Sequence, residues 1–397
     1  MIKTLDDVEV SGRTVIVRGD LNVPMLNGTI SDTTRIERLV PTLRELLDKG
    51  ARVVILSHFG RPEGKVVKDM SLQVVVVALS EALDRRNVHF IDDCIGAPVR
   101  QAVAALEKSD VMLLENLRFH AGEEENDREF AAELASLGDI FVNDAFSIAH
   151  RAHASTVAIT SFLPAVAGRN LQAECAALRD ALETSNRPVM AIVGGAKIST
   201  KLAVLGNLIL HVDELVIGGA MANTFLMAQG VQVGKSLVEL SMLDEAKSIL
   251  QRAKKVGCSI HLPTDVIVAV DLESETKGYD VTVDEIPTDS MILDIGPQTI
   301  TTLNNAMENC QTIVWNGPLG VFEIPPYDRG TVGVARRAGE LTLTGDLISV
   351  AGGGDTVAAL QQANVMAQFT YVSTAGGAFL EWLEGRSLPG LRALEEN

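Results

Sequence analysis

Cysteine is scarce in this 397-residue chain: four residues, at 94, 175, 258 and 310, with no C-x-x-C pair among them. That scatter offers neither a disulfide framework nor a zinc site, and it fits a reducing cytoplasm. Positive charge is also in short supply. The chain carries 34 Lys and Arg against 52 Asp and Glu, a net charge of -18. Such a balance argues against nucleic acid or an anionic membrane surface as partner, though local clusters of cations could still hold a small anion. No apolar run approaches the ~18–20 residues needed to span a membrane. The first ten residues include Asp6, Asp7 and Glu9, with no apolar signal core. Repeats and low-complexity segments are missing as well.

What remains is the composition of an ordinary globular protein, 47% hydrophobic and 22% charged. Its length exceeds one ordinary core, so two domains of about 200 residues each are expected. Short β-branched runs alternate with amphipathic stretches. Strands are expected at 14–18, 51–57, 88–91, 111–114 and 139–142, with helices at 32–49, 72–86 and 127–137. A helix over 168–187 ends at Pro188, which biases the residue before it away from helical backbone. Alternation then resumes with strands at 189–193, 214–217, 259–262, 291–295, 312–315, 347–351 and 370–372. This pattern predicts an α/β protein with parallel sheets covered on both faces. The expected boundaries are 1–170 for a first domain, 171–187 for a connecting helix and 188–379 for a second domain. A tail, 380–397, containing Pro389, returns to the first.

Ligands of parallel sheets sit at the carboxyl ends of the strands. In the first half those ends carry Arg18, Asp20 and Asn22; Ser57, His58, Gly60 and Arg61; Glu115, Asn116, Arg118 and His120; then Asn143, Asp144, His150, Arg151 and His153. Arg35 opens the first helix. A lone strand-end arginine is ordinarily a solvated surface charge. Four strand ends carrying arginine or arginine with histidine point instead to a small polyanion gripped by guanidinium groups. His150-x-x-His153 could place two metal ligands on one helical face, but Arg151 between them would repel a cation, so an anion site is expected there.

In the second half the strand ends carry glycine with lysine or amide: Gly194-Gly195-Ala196-Lys197 with Lys201, Gly218-Gly219, Gly296-Pro297 and Asn316-Gly317-Pro318-Leu319-Gly320 with Glu323. Lys197 and Lys201, four apart at a helix start, are expected to share one face. The stretch Asp346 to Gln361 reads as a buried strand, a turn of Gly352, Gly353 and Gly354, and a helix capped by Thr356. Residues without a Cβ let backbone N–H groups approach phosphate at the positive end of a helix. Asp355 beside those phosphates calls for a hard cation such as Mg²⁺. Gly230 to Ser236 mimics a P-loop but has three residues between its glycines where four are required, so it reads as an ordinary loop.

These motifs together resemble the phosphoglycerate kinase family. They are R-G-D-L-N-V-P (Arg18–Pro24), S-H-F-G-R-P (Ser57–Pro62), L-L-E-N-L-R-F (Leu113–Phe119), N-D-A-F-S-I-A-H-R-A-H-A-S (Asn143–Ser155), G-G-A-K-I-S-T-K (Gly194–Lys201), W-N-G-P-L-G-V-F-E (Trp315–Glu323) and G-G-G-D-T (Gly352–Thr356). The resemblance spans essentially the whole chain. It implies two Rossmann-like lobes joined by a hinge helix, which close for direct in-line phosphoryl transfer between 1,3-bisphosphoglycerate and ADP. By resemblance the acid substrate meets Asp20, Leu21, Asn22, Arg35, His58, Phe59, Gly60, Arg61, Arg118 and Arg151. The nucleotide, ATP or ADP, meets Gly195, Lys197, Lys201, Gly219, Asn316, Glu323, Gly353, Gly354, Asp355 and Thr356. Asp355 is the implied Mg²⁺ ligand, and Arg35, Lys197, Lys201, Gly354 and Gly377 the catalytic groups. A cytoplasmic monomer is implied too.

Departures from the family pattern are small: Phe59 for leucine, Ser147 and Ala220 for glycine, and Ala375 for the first glycine of a Ser-Thr-Gly-Gly-Gly turn. Two other readings compete. A nicotinamide-dependent oxidoreductase would need G-x-G-x-x-G at the first βα turn, which is missing. A two-lobed phosphate- or nucleotide-binding protein without catalysis would have no use for the lysine pair or Asp355.

Overall fold

The computed structural model describes residues 2–182, 186–272 and 278–397. Residues 183–185 of the expected connecting helix lie outside them. The chain divides into two compact units, 1–175 with 387–397, and 176–386. The division falls within a helix, Arg169–Leu182.

The first unit is built on six parallel strands: β1 Thr14–Arg18, β2 Arg52–Leu56, β3 Val88–Ile91, β4 Val111–Leu114, β5 Ile140–Asn143 and β6 Ala165–Ala167. Their order is β3-β4-β2-β1-β5-β6, and every pairing is parallel. Strand β1 is buried along its whole length, as expected where helices cover both faces. Val15, Val17, Val53, Ile55, Leu113 and Val142 share one core with Leu39, Leu43 and Leu46 of helix α1, Thr34–Asp48. The stretch expected as one helix over 72–86 breaks into a 3₁₀ turn at Leu72–Val75 and a helix at Val76–Ala82. Four successive valines (Val74–Val77) account for this, because β-branched side chains lose rotamer freedom in a helix.

Helix α2, Arg169–Leu182, leads into the second unit. There the strands are β7 Val189–Val193, β8 Glu214–Ile217, β9 Ser259–His261, β10 Asp265–Ala269, β11 Tyr279–Thr282, β12 Met291–Ile295, β13 Thr312–Asn316, β14 Ile348–Gly352 and β15 Tyr371–Ser373. Six of them form a parallel sheet ordered β9-β8-β7-β13-β14-β15. Met190, Ile192, Ile313, Trp315 and Ala351 share its core. Strand β12, expected in the parallel sheet, belongs instead to a separate antiparallel sheet, β11-β10-β12. A small core of Val266, Val268 and Ile286 sits under that sheet.

Register sets both candidate sites. In the first unit Arg18 lies level with Leu56 and with Asn143, so the segments that follow all three leave one rim. In the second, Val193 is level with Ile217 and Asn316, and Gly352 with Ser373. The closing segment forms a helix, Pro389–Glu395, belonging to the first unit. Among the described residues no helix is long and apolar enough to cross a membrane.

Candidate active site

The rim of the first unit is a network of cations tied down by their neighbours. Arg35, in the first turn of α1, donates to Asp20 at 3.1 Å and to the Asn22 carbonyl at 2.8 Å. Asp20 also accepts from the Asn22 N–H at 3.1 Å and the Ser147 hydroxyl at 2.6 Å. Ser147, one of the departures, therefore adds a bond to the carboxylate that orients Arg35. The Asn22 side chain accepts from the Gly60 N–H at 2.9 Å, and the buried Leu21 donates its N–H to Ser57 at 2.9 Å. Asn116 grips Phe59 from both sides, accepting its N–H at 3.1 Å and donating to its carbonyl at 2.6 Å. Arg118 donates to the Gly60 carbonyl at 2.8 Å and pairs with Glu124 at 3.2 Å. Arg61 and Arg151 are exposed.

His58 lies buried among these groups. Burial first, then Arg18, Arg118, Arg35 and His153, holds its pKa well below the usual imidazole range, so the ring is neutral. The structure thus brings Asp20, Leu21, Asn22, Arg35, His58, Phe59, Gly60 and Arg118 together. His150 and His153 do not share a helical face, because the chain bends after a 3₁₀ turn at Phe146–Ile148. His153 is buried and lies 3.7 Å from Glu123.

Asp144, one residue past β5, accepts the Leu171 N–H of α2 at 2.9 Å. Burial raises its pKa to about 7 against hydrogen bonds from Leu171, Thr42 and Asn170. A carboxyl whose folded pKa lies above its unfolded value of about 4 opposes folding once it ionises. The cost is absent below about pH 4, grows as the pH rises through about 7, and persists above it. Asp144→Asn keeps the acceptor and removes the charge. Thermal melts should show the variant gaining more stability at pH 8 than at pH 5; an equal change at both would remove the burial argument.

On the second unit two helices begin side by side. Helix α3, Leu202–Leu208, and helix α4, Ala220–Ala228, follow β7 and β8; α5, Gly354–Gln362, and α6, Gly376–Leu383, follow β14 and β15. A Cβ on Gly376 would lie 3.9 Å from the Gly354 nitrogen, so the starts of α5 and α6 adjoin. Their free N–H groups, those of Gly354 and Gly377 included, form an anion-binding corner. The strand runs on through Gly352, so the turn is Gly353 alone, at φ +100°. A Cβ there would meet the Asn316 amide at 2.6 Å. Gly219 starts α4 at φ +67°, where a Cβ would fall 2.7 Å from the Gly195 carbonyl.

Thr356 is not the cap expected from sequence. It lies inside α5, donates to the Gly352 carbonyl at 2.9 Å and accepts the Gly317 N–H at 2.7 Å, stitching β14 to the turn after β13. The two lysines do not share a helical face either, because α3 starts only at Leu202. Lys201 donates its ammonium to Asn316, whose amide reaches the Gly352 carbonyl at 2.8 Å. Burial lowers its pKa, while Asp355 and Glu384 act the other way. Lys197 is exposed on the loop before it, and that loop is clamped by Glu239, which accepts Ser199 N–H and hydroxyl at 3.0 and 2.6 Å.

A cavity of about 310 Å³ opens beside these groups, lined by Gly195, Gly219, Ile292–Ile295, Pro318–Val321, Glu323 and Asp355. Its walls are largely apolar and include the acids Asp294, Glu323 and Asp355, which suits a nucleoside. Mg²⁺ takes one or two carboxylates and completes its shell with water and phosphate oxygens. Asp355, exposed in the first turn of α5 beside the anion-binding corner, fits that role. Among the described residues, Asp93, Cys94 and His120 also bring ligand atoms within 4.8 Å. Asp93 there already accepts the Cys94 N–H at 2.7 Å and pairs with His120 at 2.8 Å, and burial pushes the thiol well above its usual range. That carboxylate is satisfied within the protein.

Residues 5–386 match the family model described as phosphoglycerate kinase. The chain belongs to the phosphoglycerate kinase family. A phosphoglycerate kinase of Dinoroseobacter shibae is 58% identical over 393 residues, 99% of each chain. One of Cereibacter sphaeroides is 56% identical over 392 residues, again 99% of each. The solved phosphoglycerate kinase of Coxiella burnetii, 43% identical, superposes with a TM-score of 0.92 over 100% of this chain and 99% of its own. That of Pyrococcus horikoshii, 31% identical, gives 0.83 over 99% and 98%.

Two departures from the phosphoglycerate kinase pattern fall where no left-handed backbone is required. Ala220 is the first residue of α4, with the positive φ carried by Gly219, and Ala375 has an ordinary φ of -97°. Sequence reasoning passed over Glu123, Ser155 and Ser147 as site residues. Only Ser147 carried a signal, as a hydroxyl near an acid-rich strand end.

Proposed function

We propose that this phosphoglycerate kinase transfers a phosphoryl group reversibly between 1,3-bisphosphoglycerate and ADP, giving 3-phosphoglycerate and ATP, as a cytoplasmic monomer. The observation that carries the reading is the division of equipment. One unit offers arginines around a neutral histidine, and the other offers adjoining helix starts, two lysines and a carboxylate. The acid substrate is assigned to Asp20, Leu21, Asn22, Arg35, His58, Phe59, Gly60, Arg61, Arg118 and Arg151. The nucleotide is assigned to Gly195, Lys197, Lys201, Gly219, Asn316, Glu323 and Gly353–Thr356.

A carboxylate nucleophile is already ionised at pH 7, so the chemistry needs no general base. What it needs is alignment and neutralisation of the charge spread over the moving phosphoryl group. Arg35, Lys197, Lys201 and the N–H groups of Gly354 and Gly377 supply that. Mg²⁺, held by Asp355, would add charge neutralisation at the nucleotide phosphates when bound. Mixing the protein with 3-phosphoglycerate and MgATP, with the acyl phosphate trapped by hydroxylamine, should release ADP only when both substrates are present. Binding of both without ADP release would favour a two-lobed binding protein instead.

Asp355→Asn keeps the shape and removes the charge. Since even outer-shell changes cost about 10–100-fold in metal affinity, the Mg²⁺ needed for half-maximal activity should rise by at least that much. Because the side chain is exposed, ligand-free melting should be unchanged. An unaltered Mg²⁺ dependence would move the metal elsewhere.

A further inference from the structure

Arg18 is a fully buried arginine at the end of β1, and all its directional bonds run to groups of the first unit. Its Nε donates to the Ser155 hydroxyl oxygen at 2.9 Å, one terminal nitrogen reaches the Gly19 carbonyl, and the other lies 3.1 Å from His58 Nδ1. Ser155 is held in turn by Glu123, which accepts its hydroxyl at 2.6 Å and its N–H at 3.0 Å. Glu123 is completely buried, with His153 Nδ1 3.7 Å away. None of Glu123, Ser155 and Arg18 belongs to the substrate contacts assigned above.

We propose that Glu123, acting through Ser155 and Arg18, is a positioning group that fixes His58 as a neutral ring protonated on Nε2. The inference rests on the reading of His58 as a contact of the acid substrate. The logic is one of donors and acceptors. A guanidinium has no acceptor, so the nitrogen facing it must be bare, and the ring's one proton sits on Nε2. Ser155 accepts from Arg18 while its own proton goes to Glu123. The carboxylate thus holds the serine, and through it the guanidinium that faces the ring, in one orientation.

The surrounding charges agree. Burial pushes the Glu123 carboxyl up, but His153, Arg18 and Ser155 outweigh it and hold the group below its usual range. Burial brings Arg18 down to about 10, against Glu123 and Asp20, so it stays charged at neutral pH. Arg18, Arg118, Arg35 and His153 all disfavour a second proton on His58. A histidine beside a polyanion would otherwise charge as the ligand arrives, and its hydrogen-bonding pattern would change with pH. Here the ring is held as a fixed donor.

Long-range ¹H–¹⁵N correlation on the ligand-free, full-length protein reads the ring directly, with the His58 signals assigned by their loss in His58→Gln. The expected result is a neutral, Nε2-protonated His58 throughout pH 5 to 8. A ring protonated on Nδ1, or charged at pH 7, overturns the proposal without any further variant. Ser155→Ala breaks the series, so His58 should show both tautomers or titrate. KM for 3-phosphoglycerate should rise about tenfold or more, the scale of a charge-assisted hydrogen bond, with kcat within about twofold. Ser155→Thr, which keeps the hydroxyl, should restore both. A Ser155→Ala spectrum identical to the parent's, or a loss in kcat at constant KM, overturns the positioning role. If the parent released no ADP yet showed the Nε2 tautomer, the kinase reading would fail while the assignment of the ring held.

Discussion

Arg35→Ala is expected to lower kcat by about 10³–10⁵, the range for an arginine that meets charge on a transferring phosphoryl group. In the ligand-free protein Arg35 is already aimed. Its guanidinium is bound to Asp20 and the Asn22 carbonyl, and its side chain is 28% exposed. The cost of ordering a long side chain is therefore met on folding rather than during reaction. Removing it leaves Asp20 with the Ser147 hydroxyl and the Asn22 N–H, so the rim should keep its shape. KM for 3-phosphoglycerate should move far less than kcat. Arg35→Lys keeps the charge but loses the planar fork, and should fall between the two. Steady-state kinetics with both substrates varied decides the matter: an unchanged kcat with a raised KM would make Arg35 an ordinary binding residue.

Much of the architecture behind this expectation is legible in the sequence, and the reason is burial. Strands such as Thr14–Arg18 and Val189–Val193 are covered on both faces, so they read as unbroken apolar runs. Where burial is partial the signal fades. Tyr279–Thr282 is almost wholly exposed, and its alternation of Tyr279 and Val281 with Asp280 and Thr282 is too short to stand out as a strand. Met291–Ile295, in the same sheet, is visible, but its antiparallel pairing is not, because direction depends on contacts with 265–269.

The site divides in the same way. Residues at or within a few positions of a strand's carboxyl end are found by position, and Asp20, His58, Arg118, Asn316 and Asp355 fall there. Glu123 and Ser155 act across 32 and 137 residues of sequence, through Ser155 to Arg18, and no local spacing announces such contacts. Thr356 shows the opposite failure. Local pattern suggested a cap, yet the hydroxyl is used three residues into the helix to bind a neighbouring turn. Register decides these roles, and register is a property of the assembled sheet.

The two lysines are separated by the same kind of observation, and they should respond differently to removal. Lys201 is committed before any ligand arrives: its ammonium is bound to Asn316 and partly withdrawn from water. Lys197 is exposed and forms no ion pair among the described residues, while its loop is fixed by Ser199 on Glu239. Arg35 binds Asp20 and Asn22 through one terminal nitrogen and leaves the rest of its fork for a ligand, whereas the Lys201 ammonium is already engaged by Asn316, so Lys197 is the lysine open to charge that develops on the phosphoryl group. Lys197→Ala should therefore lower kcat by about 10²–10³, the scale for removing one donor to charge that develops in the transition state, with KM for ATP changed only a few-fold. Its thermal midpoint should match the parent's, since an exposed ammonium is lost. Lys201→Ala should chiefly raise KM for ATP and lower the thermal midpoint, because the buried Asn316 loses its partner. Rates at saturating and at low ATP, with melts of both variants, separate the two roles. If Lys201→Ala carried the kcat loss and Lys197→Ala only the KM change, prior engagement would be the wrong criterion, and the ammonium bound to Asn316 would be the one that meets the transition state.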